Sequence, residues 1–143
     1  MEYELGKGIQ ELEIGESAER SKTITESDIV LYAGITGDFN PIHINEEYAK
    51  KTIFGGRIAH GSLVQGLMAP VIGMQLPGMG SIAYAGESRF KAPVKIGDTI
   101  TAKATVSEKI MDKNIVIMKL EWLNQRGEVV VEGSMKVMPP KKQ

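Results

Sequence analysis

Between Tyr32 and Ala49 the sequence reads YAGITGDFNPIHINEEYA, and Gly37, Asp38, Asn40, Pro41 and His43 crowd into seven of those positions. A carboxylate and an imidazole are side chains suited to passing protons to and from a reacting group. Five residues apart on one continuous helix, Asp38 and His43 would point about 140° away from each other, at roughly 100° per residue. Pro41 forbids that helix and biases Asn40 toward an extended backbone, so the chain turns between the two side chains and can aim both into one cavity. Two plainer readings compete. Asp and Asn ahead of a proline often serve turns through bonds to their own backbone, and a histidine between Ile42 and Ile44 is more often a satisfied core residue than a catalyst. Packing alone rarely needs such crowding, and the combination favours chemistry.

The surrounding elements must carry these side chains. Thr25 followed by Glu26, Ser27 and Asp28 has the hydroxyl and the carboxylates of a helix start, which predicts a helix from Glu26 to Gly34. A second, short helix is expected after Asn45, with Glu46 and Glu47 in its first turn and Lys50 and Lys51 in its last. It ends before the loop Phe54-Gly55-Gly56. From Ser62, the residues Leu63, Val64, Leu67, Met68, Val71 and Ile72 recur at helical spacing, and Gly66, Ala69 and Gly73 leave room for close approach, which predicts a buried central helix. Pro70 removes a backbone donor from it and predicts a kink near Gly66 or an early change of direction.

Beyond Pro77-Gly78 the hydrophobic period changes to two. One strand presents Ile82, Tyr84, Gly86, Ser88 and Phe90 on one face, and a second presents Ile100, Ala102, Ala104 and Val106. A third presents Val116, Met118, Leu120 and Trp122, and a fourth Val129, Val131, Met135 and Val137. Their short connections predict an antiparallel meander, and its buried face needs the central helix as cover. The expected class is α+β, an antiparallel sheet wrapped around a central helix. Met68, Met74 and Met79 are expected in the core or along a pocket. Residues 139–143, Pro-Pro-Lys-Lys-Gln, read as a frayed tail of a single domain spanning residues 1–143.

Composition narrows the function. A chain of 143 residues suits one domain with a real core. Lys and Arg total 17 against 18 Asp and Glu, a net charge of -1, and no basic run is interleaved with aromatics, so nucleic acid is not an expected partner. There is no cysteine, which excludes disulfides, thiolate nucleophiles and Cys-based metal sites and fits a reducing compartment. With two histidines besides, no metal is expected. The N-terminus is acidic and lacks the apolar core of a signal peptide. The apolar stretch from Leu63 to Leu76 is interrupted and too short to span a bilayer. A cytoplasmic protein without membrane attachment is the expectation.

The dense segment resembles the motif of the MaoC-like (R)-specific enoyl-CoA hydratases, Y-x-x-[aliphatic]-[small]-G-D-x-N-P-[aliphatic]-H-x5-[A/S]. Tyr32, Ile35, Thr36, Gly37, Asp38, Asn40, Pro41, Ile42, His43 and Ala49 all fall into place. Similarity continues through IAHGSL (Ile58 to Leu63), LPGMGSI (Leu76 to Ile82) and FKAPVKIGD (Phe90 to Asp98). The resemblance implies the hot dog fold, an acyl-CoA thioester substrate, no cofactor, and a homodimer or dimer-based higher oligomer. It assigns Asp38 and His43 to the proton transfers that add water across a 2-enoyl thioester or remove it. His43 is favoured as the base that activates water, and Asp38 as the carrier of the α-proton. An unperturbed imidazole, with a pKa of about 6.5, suits base work near neutral pH. The reaction also needs donors for the charge that develops on the thioester oxygen. Gly61, at the start of the central helix where N–H groups lack intrahelical partners, looks like the family's oxyanion donor and substrate-binding residue.

His60 is expected to be a packing or helix-entry residue rather than a second base. The family often carries a polar residue late in the central helix, where this chain has Ala69 and Pro70, so the resemblance does not fix acyl length. A thioesterase of the same fold, which would release free thiol, is the competing enzyme. A non-catalytic acyl-binding subunit is the competing non-enzyme, and the intact D-x-N-P-x-H argues against it.

Overall fold

The computed structural model describes residues 2–142. Its first elements are a strand, β1 (Ser17–Thr23), and a helix, α1 (Glu26–Thr36). α1 starts where the sequence places it. Thr25 accepts from the Asp28 N–H, and the Asp28 carboxylate accepts from the Thr25 N–H, a reciprocal capping box. The helix runs two residues further than expected and ends at Gly37, which adopts the left-handed conformation (φ 81°) and donates to the Ala33 carbonyl.

The Lys22 ammonium donates to Asp28 at 2.7 Å and is the largest influence holding that carboxyl below its ordinary pKa. A depressed carboxylate contributes stability above its unfolded pKa, and that contribution is lost as pH falls through the folded value. Replacing Lys22 with Met is therefore expected to lower the melting temperature at pH 6 and to leave it nearly unchanged at pH 2. An equal loss at both pH values would trace the effect to packing instead.

Pro41 does more than break a helix. It occupies the first turn of a new one, α2 (Pro41–Ile44), where its missing N–H costs nothing. Asn40 caps α2 by accepting from the Ile42 N–H, and Asn45 caps α3 (Glu46–Ala49) by accepting from the Tyr48 N–H. The central helix opens as α4 (Gly61–Gly66), breaks into a turn at Leu67 and Met68, and resumes through Pro70 into a π-helical turn (Val71–Gln75). Leu67 and Met68 donate three residues back, to Val64 and Gln65. Pro70 has no N–H to return to Gly66, so the helix deforms where the sequence places the kink.

Four further strands, β2 (Ile82–Phe90), β3 (Thr99–Ile110), β4 (Ile115–Leu123) and β5 (Val129–Met138), join β1 in one antiparallel sheet of order β1-β3-β4-β5-β2. The inner faces of β3 and β4 are those expected: Ile100, Ala102, Ala104, Val106, Val116, Met118, Leu120 and Trp122 are buried against Val64, Met68, Val71, Ile72 and Leu76 of the central helix. The α+β class, a sheet wrapped on a helix, holds.

Three strand expectations need correction. β1 has no apolar signal, because its register sets Arg20 and Lys22 opposite the core residues Ala102 and Ile100 at an exposed edge. The meander covers only β3, β4 and β5. β2 lies at the far edge beside β5, and residues 91–98 carry the chain across the sheet end, where Lys91 and Ala92 donate to the Val130 carbonyl. β2 also does not keep one face from Ile82 to Phe90. An irregularity between Ala83 and Ala85 puts Ala83 opposite buried Val137 and hands the inner face to Gly86, Ser88 and Phe90. A similar shift near Leu123 buries Val130 alongside Val131.

The terminal residues are not simply frayed. Pro139 and Pro140 are buried, Asn114 donates to the Pro139 carbonyl at 3.0 Å, and Lys142 pairs with Glu11 at 2.9 Å. Gln143, also placed in that tail, lies outside the described residues.

Candidate active site

The chain's turn at Gly37 and restart at Pro41 bring Asp38 and His43 together. Nε2 of His43 lies 3.9 Å from Oδ2 of Asp38, with the imidazole nearly buried and the carboxylate half exposed. Nδ1 of His43 is 2.8 Å from the Ile58 carbonyl. A carbonyl only accepts, so Nδ1 carries a proton, and the ring turns Nε2 toward Asp38. The gap is too long for a direct hydrogen bond. It is short enough for one water to bond to both groups at about 2.8 Å.

His60 stands where the sequence places it, immediately before α4, and is buried. Its Nε2 donates to the Asp38 carbonyl at 3.0 Å, and its ring stacks on His43 with centroids 3.9 Å apart and planes 25° apart. The ring of Tyr32 tilts against His60 with centroids 4.8 Å apart, and its hydroxyl donates to Ser62. His60 is thus a strut between the Asp38 loop and the central helix.

Arg57 was not legible as a site residue. Its Nε donates to the His43 carbonyl at 2.6 Å, and its two terminal nitrogens grip Glu26 at 2.7 and 3.0 Å. The fork ties α2 to the start of α1. A lone arginine in a loop carries no periodic signal, and its partner lies 31 residues away.

Asp38, His43 and His60 offer three donor atoms within 4.8 Å of one another. Metal ligation would require the two ring lone pairs to converge on one point about 2.0 to 2.1 Å from each nitrogen. Stacked, nearly parallel rings send their in-plane lone pairs side by side. One nitrogen of each ring also faces a carbonyl. The cluster suits proton transfer to a bound molecule better than a cation.

Gly61 opens α4 beside this pair. His43, Gly61, Phe54, Val64, Phe90 and Val131 are among the walls of a cavity of about 490 Å³. A Cβ built on Gly61 would lie 2.6 Å from the Phe90 ring. Absence of a side chain therefore lets an aromatic ring close directly on the helix start, where the Leu63 and Val64 N–H groups donate to the His60 carbonyl and those of Gly61 and Ser62 lack an intrahelical acceptor. Met68 lies in the core as expected, whereas Met74 is exposed.

Residues 10–122 match the family model described as the MaoC like domain. The chain is 46% identical to the (R)-specific enoyl-CoA hydratase of Rhodospirillum rubrum over 92% of its own length and 90% of that protein. It is 40% identical to the 3-hydroxybutyryl-CoA dehydratase of Methylorubrum extorquens over 94% of its length and 85% of that protein. Among solved structures, the unliganded R-hydratase of Pseudomonas aeruginosa superposes with a TM-score of 0.90 at 40% identity, covering 96% of this chain and 88% of that one.

Proposed function

This chain belongs to the MaoC-like family, and from that premise we propose that Asp38 and His43 are its proton-transfer pair and Gly61 its oxyanion donor. The protein is an (R)-specific enoyl-CoA hydratase of the hot dog fold, and in reverse a 3-hydroxyacyl-CoA dehydratase. The observation that carries the residue assignment is the 3.9 Å gap between a tautomer-fixed Nε2 and a half-exposed carboxylate beside the start of α4.

The chemistry follows from that gap. A water held between the pair gives a proton to Nε2 of His43 as its oxygen bonds to the β-carbon. Charge moves to the thioester oxygen, where the Gly61 N–H stabilises it. The proton on His43 passes to the Asp38 carboxylate and on to the α-carbon as that charge returns, which resets the pair. One water has been added in all, and the reverse sequence expels it.

The working unit is a single hot dog domain that assembles as a homodimer or a dimer-based higher oligomer. β2 is a nine-residue edge strand whose Ile82, Tyr84 and Phe90 are exposed, a surface that invites pairing with a second copy. Sedimentation at micromolar concentration should give at least twice the monomer mass; a monomer would remove the dimer from the reading. Among the described residues no helix is long and apolar enough to cross a membrane. A cytoplasmic site of action is the setting that the cysteine-free composition fits. The activity test is loss of enoyl absorbance on mixing with crotonyl-CoA. Release of free thiol without that loss would instead identify a thioesterase.

A further inference from the structure

We infer that Gln65 and Ser88 form a bar across the acyl groove that makes this enzyme selective for short enoyl thioesters. The inference rests on Gly61 holding the thioester oxygen, as proposed above. Four residues along one helix face from Gly61 stands Gln65, and Ala69 and Gly73 continue that face. Opposite them, the inner face of β2 presents Phe90, then Ser88, then Gly86. Phe90 closes on Gly61, and the Gln65 amide donates to the Ser88 hydroxyl. The groove is thus built in rungs, and Gln65 is the one polar side chain that the central helix gives to this wall, beside Met68, Ala69, Ile72 and Gly73.

Cavities adjoin the two rungs. One of about 490 Å³ has His43, Gly61, Val64, Phe90 and Val131 in its walls, and neither Gln65 nor Ser88. A second, of about 630 Å³, has Gln65 and Ser88 in its walls together with Met68, Ala69, Gly73 and Gly86. Four helical residues advance roughly 6 Å. An extended acyl chain advances roughly 1.3 Å per bond, given bonds of about 1.5 Å. A crotonyl group anchored at Gly61 therefore reaches roughly 4 Å and stops short of the bar, whereas a hexenoyl group reaches it and an octenoyl group must pass it. Passage requires the Gln65–Ser88 bond to break and leaves an amide facing methylenes, a loss that the apolar chain cannot offset with a bond of its own.

The test compares kcat/KM for trans-2 crotonyl-, hexenoyl- and octenoyl-CoA in the wild type, Gln65→Ala and Gln65→Leu, with equilibrium binding of butyryl- and octanoyl-CoA beside it. The wild type should prefer crotonyl- to octenoyl-CoA by at least about tenfold, since each buried methylene is worth roughly fourfold in affinity and the bar withholds several. Gln65→Ala should reverse much of that preference and tighten octanoyl-CoA binding, while crotonyl-CoA turnover stays within about threefold. Gln65→Leu keeps the bulk but lacks the bond to Ser88, and its short-chain preference should fall between those of the wild type and Gln65→Ala. Equal wild-type activity on all lengths, or a Gln65→Ala ratio like the wild type's, would overturn the bar; so would a Leu variant with the full wild-type preference, since the bond would then carry none of it. Wild-type inactivity on every enoyl thioester would sink the hydratase reading, and the bar would then stand or fall on the butyryl- against octanoyl-CoA binding ratio in the wild type and Gln65→Ala.

Discussion

Replacing His43 with Ala is expected to lower kcat/KM for crotonyl-CoA hydration by about 10² to 10⁴-fold, the span that a positioned acid or base contributes. Asp38→Asn should fall in the same range. In the proposed mechanism both groups address one water across their 3.9 Å gap, so either loss leaves that water without a complete proton path. The double variant should then be little worse than the poorer single variant, because residues acting as a unit are strongly non-additive. Steady-state rates of all three proteins, alongside melting curves to establish folding, check this. A His43→Ala enzyme retaining a tenth or more of its activity would remove His43 from the proton path. Multiplied losses in the double variant would mean that the two residues serve separate steps.

Gly61→Ala carries the second large expectation, a fall of about 10² to 10³-fold in kcat, comparable to the loss of one oxyanion donor. The cause is steric. The new methyl would stand 2.6 Å from the Phe90 ring, so either the ring or the start of α4 must give way, and a displaced N–H no longer meets the thioester oxygen. Pairing the change with Phe90→Ala separates the two outcomes. If the clash is what displaces the donor, the smaller wall should restore at least about tenfold of the lost rate. Should Gly61→Ala turn over crotonyl-CoA at the native rate, the exposed Phe90 ring would have yielded to the methyl and left the N–H in place.

What could be read in advance followed from signals that are local. The capping residues Thr25 and Asp28, the period of β3 and β4, and the kink imposed by Pro70 each depend on a few neighbouring residues, and each stands in the structure. The approach of Asp38 to His43 was legible because Pro41 acts within that same short segment. What escaped was set at long range. β1 is polar because it forms an edge whose inner positions, Arg20 and Lys22, stay in solvent. β2 was read with the wrong neighbour because alternation reports a face, and pairing order is decided by which edge the chain reaches. Arg57 and the Gln65–Ser88 pair escaped for the same reason: their partners are 31 and 23 residues away.

The bond from His43 to Ile58 bears on the genetics of the site. The acceptor that fixes the imidazole tautomer is a main-chain carbonyl, which all twenty amino acids possess. Substitution at position 58 can reshape the cavity wall without erasing that acceptor. The orientation of the imidazole is therefore inherited from the path of the backbone rather than from a second side chain that drift could remove. A lineage is free to explore new substrates at this position while its proton chemistry stays encoded elsewhere.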